Sequence, residues 1–513
     1  MKSSKRHQAN TLTVFLLLTM CIAGRTLARH EDSTAAIASG SRYKPFSEAE
    51  VNAAVKNPLA LDQCIGIALS KNISLRIAQG DLAKAEATHA GSNAAYFPVF
   101  SLQGTQENTI EKRPVNRLNP TDPAELNFEN RAIVATVQQT LPTGAVLDLS
   151  GDLRRDLNSP DKFGAAPTRT KNRIYSAQLT QPLLRNAWAN AVRSTITTAR
   201  YDSRMKEKQL LYTIYQTVFA VKSAFYEVLY QRELIRVNRS ALERDSTLVV
   251  ASESKVTAKL ATRRDVLSAE IQLASDKASL IKSQSEYELA LDALKEVMGL
   301  PIEMPMALAG VELSDAPVSL NEERMLRQAL QNNPALHNAE VGIDRSQLQL
   351  KVAKNQLLPQ IDIIAAYNGS FERDTDQNIG IYTTGFVAAV SLNYQFLNRA
   401  AAVNAENAKI AVWQQQDNLL NLQRQLTLSV RSMIRSTYSS IEAINTLKRT
   451  IEAAGQKVEF ASAMFNLGRA SNLDITDAQE ALLKAQTQYL RELVDYHIQL
   501  AMLESLTGQP VTR

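Results

Sequence analysis

Two carboxylates three residues apart, Asp474 and Asp477, are the side chains in this 513-residue chain whose spacing points to chemistry. That spacing brings both onto one helix face. Such a pair attracts cations or satisfies backbone amides at a helix start; with no base or nucleophile beside it, it carries no catalysis. Ser471-Asn472-Leu473-Asp474 reads as a capping box, and Thr262-Arg263-Arg264-Asp265 repeats the pattern upstream. Asp474 therefore has a counterpart in Asp265, whereas Asp477 is matched by Ser268. Capping accounts for the first carboxylate and leaves the second unexplained. Residue placement disfavours other chemistry. His7, His30, His89, His337 and His497 are scattered, no Cys or His pair has metal-ligand spacing, and no glycine-rich phosphate loop is present. No cofactor is expected, and an enzyme is a poor reading.

The match between Asp265 and Asp474 belongs to a larger pattern. Ala68-Leu69-Ser70-Lys71-Asn72 returns 261 residues later as Ala329-Leu330-Gln331-Asn332-Asn333, and the same offset carries Pro98 onto Pro359. A second offset, of 209, pairs Asp265 with Asp474, Gly299 with Gly508 and Pro301 with Pro510. Two copies of one unit suggest a ring-like or stacked architecture, in which each unit buries its apolar face on a neighbour.

The elements that must hold these residues are mostly helices. Only 18 Gly and 16 Pro occur, and Lys and Arg alternate with Asp and Glu under a net charge of +5. That patterning describes solvated helix faces rather than a track for nucleic acid. Residues 1–28 read as an export signal: Lys2, Lys5 and Arg6 precede an apolar run from Leu12 to Gly24. Cys21 falls within it, after a bulky Met20 that argues against lipidation, so Cys64 has no partner and reads as a small buried hydrophobe. Nowhere else do eighteen apolar residues run together, so insertion into a membrane would use strands.

An extended arm is expected over 29–58, a first repeat over 59–301, a linker over 302–318 and a second repeat over 319–510. In the first repeat a helix is expected over 61–95, alternating strand runs within 99–183, and long helices over 187–299. In the second, a helix is expected over 320–356, strands within 360–396, and long helices over 400–464 and 471–507. Heptad-like spacing such as Ile214, Val218, Val221, Phe225 and Leu229 argues for helices packed side by side. The polar stretches 111–130 and 154–173 read as exposed loops. Copy one carries more residues between its flanking helices than copy two, enough for an extra strand pair, though four and six strands per chain both remain open. Strands with one apolar and one polar face suit an outer-membrane barrel. Too few are present for one chain to close a barrel, which needs about eight, so they imply a homo-oligomer.

The chain resembles the TolC-like outer-membrane efflux proteins. The resemblance rests on a duplicated helix–strand–strand–helix plan and on the helix–strand junctions Phe97-Pro98 and Leu358-Pro359. Gln181-Pro182-Leu183-Leu184-Arg185 and the run from Phe465 through Gly468-Arg469-Ala470-Ser471 to Ile475 add to it. It implies a mainly α fold with a smaller β part, assembled as a homotrimer whose strands share one barrel in the outer membrane of a diderm bacterium. The helices would continue as a periplasmic tunnel. Implied partners are a periplasmic adaptor, an inner-membrane transporter of the RND, ABC or MFS class, and outer-membrane lipid. The function implied is passive conduction in efflux or type I secretion. Asp474 and Asp477 would form the pore constriction, Asp474 reading equally as cap and as gate. Lys259, Leu260, Asp265, Phe465, Gly468, Arg469 and Ser471 would form the tip that docks the adaptor. Pro98, Pro182 and Pro359 would mark the helix–strand junctions.

Two departures stand out. Lys259 occupies the first tip turn where the second has Gly468, so the first turn is expected to be shaped differently. Phe465 lacks the hydroxyl of the family's usual tyrosine, and Ala470 stands where an arginine is common, which puts the closed-state latch in question. The competing reading is a periplasmic coiled-coil scaffold or adaptor whose strands form a soluble sheet.

Overall fold

In a computed structural model the described residues are 46–47, 50 and 57–509, except 113–124, 161–167, 188–190, 260, 311–312, 375–378 and 468. The expected export segment 1–28, Cys21 and most of the arm 29–58 lie outside the described residues, as do Leu260 and Gly468.

Helices α1 (Leu61–Lys71) and α2 (Ile73–Ser92) lead through a 3-10 turn (Asn93–Tyr96) into strands β1 (Val99–Lys112), β2 (Glu125–Thr140), β3 (Val146–Pro160) and β4 (Thr168–Pro182). Long helices α3 (Ala191–Thr257) and α4 (Arg263–Met298) complete the first copy. The second copy contains α5 (Glu322–Asn332), α6 (Pro334–Asn355), β5 (Gln360–Asp374), β6 (Ile379–Asn393), α7 (Arg399–Asn466) and α8 (Asn472–Thr507).

The single helices expected over 61–95 and 320–356 are each broken, and at equivalent places. The Asn72 side-chain carbonyl accepts from the Leu75 amide at 3.0 Å, while its amide donates to the Val297 carbonyl at 2.7 Å. In the second copy Asn333 accepts from the Ala335 amide at 3.0 Å and donates to the Leu506 carbonyl at 3.5 Å. Each asparagine turns its backbone out of the helix and caps the next one, the local competition that makes Asn a helix interrupter. Pro334 at the first helical position needs no amide partner. The carbonyls reached, Val297 and Leu506, lie just before the left-handed C-caps Gly299 (φ 72°) and Gly508 (φ 68°). The repeat thus extends to individual hydrogen bonds.

The six strands form one antiparallel sheet in the order β1 to β6. The stretches 111–130 and 154–173 are not wholly loops: β1 continues to Lys112, β2 starts at Glu125, and β3 and β4 reach Pro160 and back to Thr168. Arg373 and Asp374 end β5. Near these ends polar residues occupy both faces, as where Gln106 meets Arg131 on one and Glu107 meets Asn130 on the other, so alternation fades while the backbone ladder continues. The extra residues of copy one supply β2 and β3.

Register separates the sheet into two faces. One row holds Phe100, Val137, Leu149, Ala177, Tyr367 and Phe386. The adjacent row on the other face holds Val99, Gln138, Asp148, Gln178, Ala366 and Val387. The polar face is laced across strands: Gln138 donates to Asp148 at 2.8 Å, and the Ser150 and Ser176 hydroxyls lie 2.7 Å apart. The apolar face is open, with Phe386 70% and Val390 72% exposed.

The chain divides into two compact units, one of residues 1–83, 206–338 and 419–513, the other of 84–205 and 339–418. The first holds the helical cores. One surrounds Ile65, Val221, Phe225, Leu294 and Met298; its counterpart in the second copy surrounds Met325, Val430, Leu493, Tyr496 and Leu503. Cys64 lies in the first core, fully buried, and its thiol is pushed up to about 12 by loss of solvation. It serves there as a small hydrophobe. The second unit holds the sheet. Among the described residues no helix is long and apolar enough to cross a membrane.

Candidate functional site

The tip is built where α3 turns into α4 and α7 into α8. Both second helices start with the expected capping box. The Ser471 amide and hydroxyl donate to one Asp474 carboxylate oxygen at 2.7 and 2.8 Å; those of Thr262 donate to Asp265 at 2.8 and 2.7 Å. The Ser471 amide, then its hydroxyl, holds the Asp474 carboxyl below its ordinary range, and the Thr262 hydroxyl and amide do the same for Asp265. Donors that bond the ionised form favour it. Both aspartates are thus fixed as anions.

Asp474 is not confined to capping. It lines a hollow of about 370 Å³ with Asp477, Lys457, Phe460, Met464 and Arg469. The two carboxylates share this hollow with two cationic side chains. Asp477 is exposed on the same face, as the sequence spacing required.

The first tip turn keeps a left-handed residue although no glycine is available: Lys259 has φ +60°. For an L-residue with a Cβ this costs about 1–2 kcal/mol. Lys259, Arg469 and Ser471 are exposed and Asp265 is partly so. Phe465 departs from the expectation of a docking residue, being 5% exposed and packed with Leu248, Ala269, Ile475 and Ala478. The Lys255 ammonium lies 3.1 Å from the centre of its ring and also donates to the Phe465 carbonyl. A cation on the ring face thus holds α7 to α3 where a tyrosine hydroxyl is absent.

Two further features escaped sequence reasoning. Asn472 is 3% exposed; its amide donates to the Ser252 hydroxyl at 2.6 Å and to the Asp265 carbonyl at 3.0 Å. It ties the start of α8 to both α3 and α4. Its position inside the capping motif hid it, because that motif explains only Ser471 and Asp474. The second is a carboxylate pair between α3 and α4: Asp245 and Asp276, 3% and 6% exposed, share a hydrogen bond, with Gln272 donating to Asp276 at 3.1 Å.

Burial first, then the hydrogen bond and charge of Asp276, push the Asp245 carboxyl up to about 7, against a smaller opposing pull from Arg244. A carboxyl raised on folding contributes stability that is complete below its unfolded pKa and is lost as pH rises through the folded value. The helical part should therefore lose stability from about pH 4 to about pH 7. Thermal unfolding followed by helical circular dichroism should show this decline, and Asp245→Asn, which removes the titrating carboxyl, should flatten it. An equal decline in the variant would refute the assignment.

The junction prolines sit at strand ends, where a missing amide costs little. Pro98 directly precedes β1, Pro182 closes β4 opposite Asp362, and Pro359 directly precedes β5. Among the described residues the two outermost strands, β1 and β6, each have a strand partner on one side only. Unpaired ladder edges of this length demand a partner.

The family model "Outer membrane efflux protein" matches residues 325–509. The outer membrane protein TolC of Vibrio cholerae is 21% identical over 354 residues, covering 65% of this chain and 75% of that relative. The cobalt-zinc-cadmium resistance protein CzcC of Cupriavidus metallidurans is 23% identical over 291 residues, covering 56% of this chain and 67% of that protein. Among solved structures, CusC, studied for its transmembrane channel formation, superimposes with a TM-score of 0.65 at 15% identity over 92% of this chain and 96% of that one.

Proposed function

We propose that the chain is a member of the TolC-like outer membrane efflux proteins, to which it is similar in sequence and fold, and that three copies close one continuous barrel and tunnel through which cargo leaves the cell. The protein is an outer-membrane channel subunit for efflux or secretion, with its helices in the periplasm. The observation that carries the reading is the sheet: one apolar face open to its surroundings, one hydrogen-bonded polar face, and two unpaired edges. A soluble sheet would cover its apolar face. An outer-membrane barrel turns it to lipid.

Six strands is an even number, so β1 and β6 run in opposite directions and β6 of one copy can pair with β1 of the next in the antiparallel sense of every other seam. Three copies make eighteen strands, a count that leaves an aqueous lumen. The channel supplies no energy. An inner-membrane pump of the RND, ABC or MFS class would drive transport through an adaptor that grips the tip at Lys259, Arg469 and Ser471.

Asp477, with Asp474, would ring the narrow end. Three symmetry-related copies at an axis repel one another and attract cations. In planar-bilayer recordings of the purified trimer, Asp477→Asn should lower cation-over-anion permeability. Unchanged selectivity would remove Asp477 from the pore. Heat-stable trimers in outer-membrane extracts should accompany the conductance, and a monomer that passes no ions would end the reading.

A further inference from the structure

Like charges stand directly opposite one another across the far part of the sheet. Arg131 faces Arg155, Arg155 faces Lys171, and Lys171 faces Arg373. Like charges in directly opposed positions destabilise a strand pair. Here three consecutive seams carry them in one row. Arg173 and Arg169, two residues to either side of Lys171, extend the cluster on the same face, and all six side chains are exposed. At this level Glu129, paired with Arg131, is the one carboxylate among the described side chains of that face.

The opposite face reverses the sign. Glu107, Asp152, Asp156, Glu372 and Asp374 point there, with Arg154 as the one cation among the described residues, already paired with Asp152 at 2.9 Å. The sheet therefore sorts cations to its apolar face and anions to its polar face.

The basic row begins where the apolar band ends. On β5 the apolar face runs from Ile361 to Phe371 and then meets Arg373; on β2 and β3 the switch from Ile133 to Arg131 and from Leu153 to Arg155 falls in the same row. Ten residues of strand span roughly 34 Å. At a tilt near 40° this is roughly 26 Å of membrane depth, matching the apolar band of an outer-membrane barrel. The row lies at the end of each strand remote from the helices.

Resting on the outer-membrane channel reading, we propose that this basic cluster, centred on Arg155 and Lys171 of the row with Arg173 of the neighbouring one, is a binding belt for the phosphate groups of outer-leaflet glycolipid. The lipid phosphates supply countercharge to Arg155, Lys171 and Arg173, which stand close together and exposed on that face. Guanidinium groups suit this ligand because their forked donors match phosphate oxygens in pairs. Each basic residue near an anionic membrane surface contributes roughly fivefold in affinity, so three contribute on the order of 100-fold.

The test uses the purified full-length protein in detergent, with diphosphoryl lipid A and its phosphate-free form as probes in a binding titration. The wild type should prefer the diphosphoryl form, and the triple variant R155Q/K171Q/R173Q should lose most of that preference, on the order of 100-fold, while remaining trimeric and conducting. The charge-keeping R155K/K171R/R173K should retain it, and this comparison decides the matter if the neutral triple fails to fold. Equal preference in the wild type and the neutral triple, no preference for phosphate in the wild type, or loss of preference in the charge-keeping triple would overturn the belt. Displacement by equimolar inorganic phosphate would also overturn it, marking a site for free anion rather than headgroup. A wild type that is neither trimeric nor conducting would instead fail the channel reading itself.

Discussion

Excising residues 110–167 and joining Thr109 to Thr168 through a two-residue Asn-Gly turn should narrow the membrane barrel by about a third. The excision removes β2 and β3 with the far tip of β1, leaving four strands per copy. Barrel diameter grows roughly in proportion to strand number, so twelve strands in place of eighteen give that ratio. The join respects direction, because β1 runs away from the helices and β4 returns to them. It also respects facing: Phe100 comes opposite Ala177, with which it already shares a row through Val137 and Leu149. A slip of one residue would turn the apolar face to water. Electron microscopy of the excised trimer should show the smaller barrel above unchanged helices. A barrel of undiminished diameter would mean that β2 and β3 lie outside the barrel wall, and the eighteen-strand count would fall.

Gly299→Ala should destabilise the helical part by about 3 kcal/mol, and Gly508→Ala, its equivalent in the other copy, by about 1–2 kcal/mol. Both glycines end a helix with positive φ, at 72° and 68°, so any Cβ carries the left-handed penalty. The difference lies in what the new atom meets. At Gly299 it would come within 2.7 Å of the Lys71 carbonyl carbon and still closer to its oxygen, which are backbone atoms that α1 holds in place. At Gly508 the nearest atoms are the Asn332 Cβ and the Tyr215 hydroxyl oxygen, both side-chain atoms at 3.3 Å, an approach a small shift relieves. Thermal unfolding of the two variants measures the order. Equal losses would show that conformational strain alone acts at both sites.

Much of the architecture was legible because it is periodic. Heptad spacing gave the paired helices, alternation gave strand runs within 99–183, and the offset repeats gave the equivalence of Gly299 with Gly508. The capping boxes were legible for the same reason: Ser471 with Asp474 and Thr262 with Asp265 are local patterns that a helix start must satisfy. Where periodicity failed, so did the reading. Strand ends with polar residues on both faces read as loops, and the asparagine breaks at Asn72 and Asn333 passed unnoticed because their partners, Val297 and Leu506, are far along the chain.

The sequence by itself determined the duplicated plan, the dominance of long helices and the presence of strands fit for a membrane. It also determined that Asp477 stands one turn beyond a capping carboxylate. The tertiary structure alone decided that all six strands join one sheet, that Phe465 faces inward beneath Lys255, that Asn472 bridges α3 and α4, and that Arg131, Arg155, Lys171 and Arg373 form a row. The physical reason is range. Helix and strand periods arise between residues a few positions apart, whereas strand register and helix packing join residues separated by tens to hundreds of positions, and local patterning leaves those choices open.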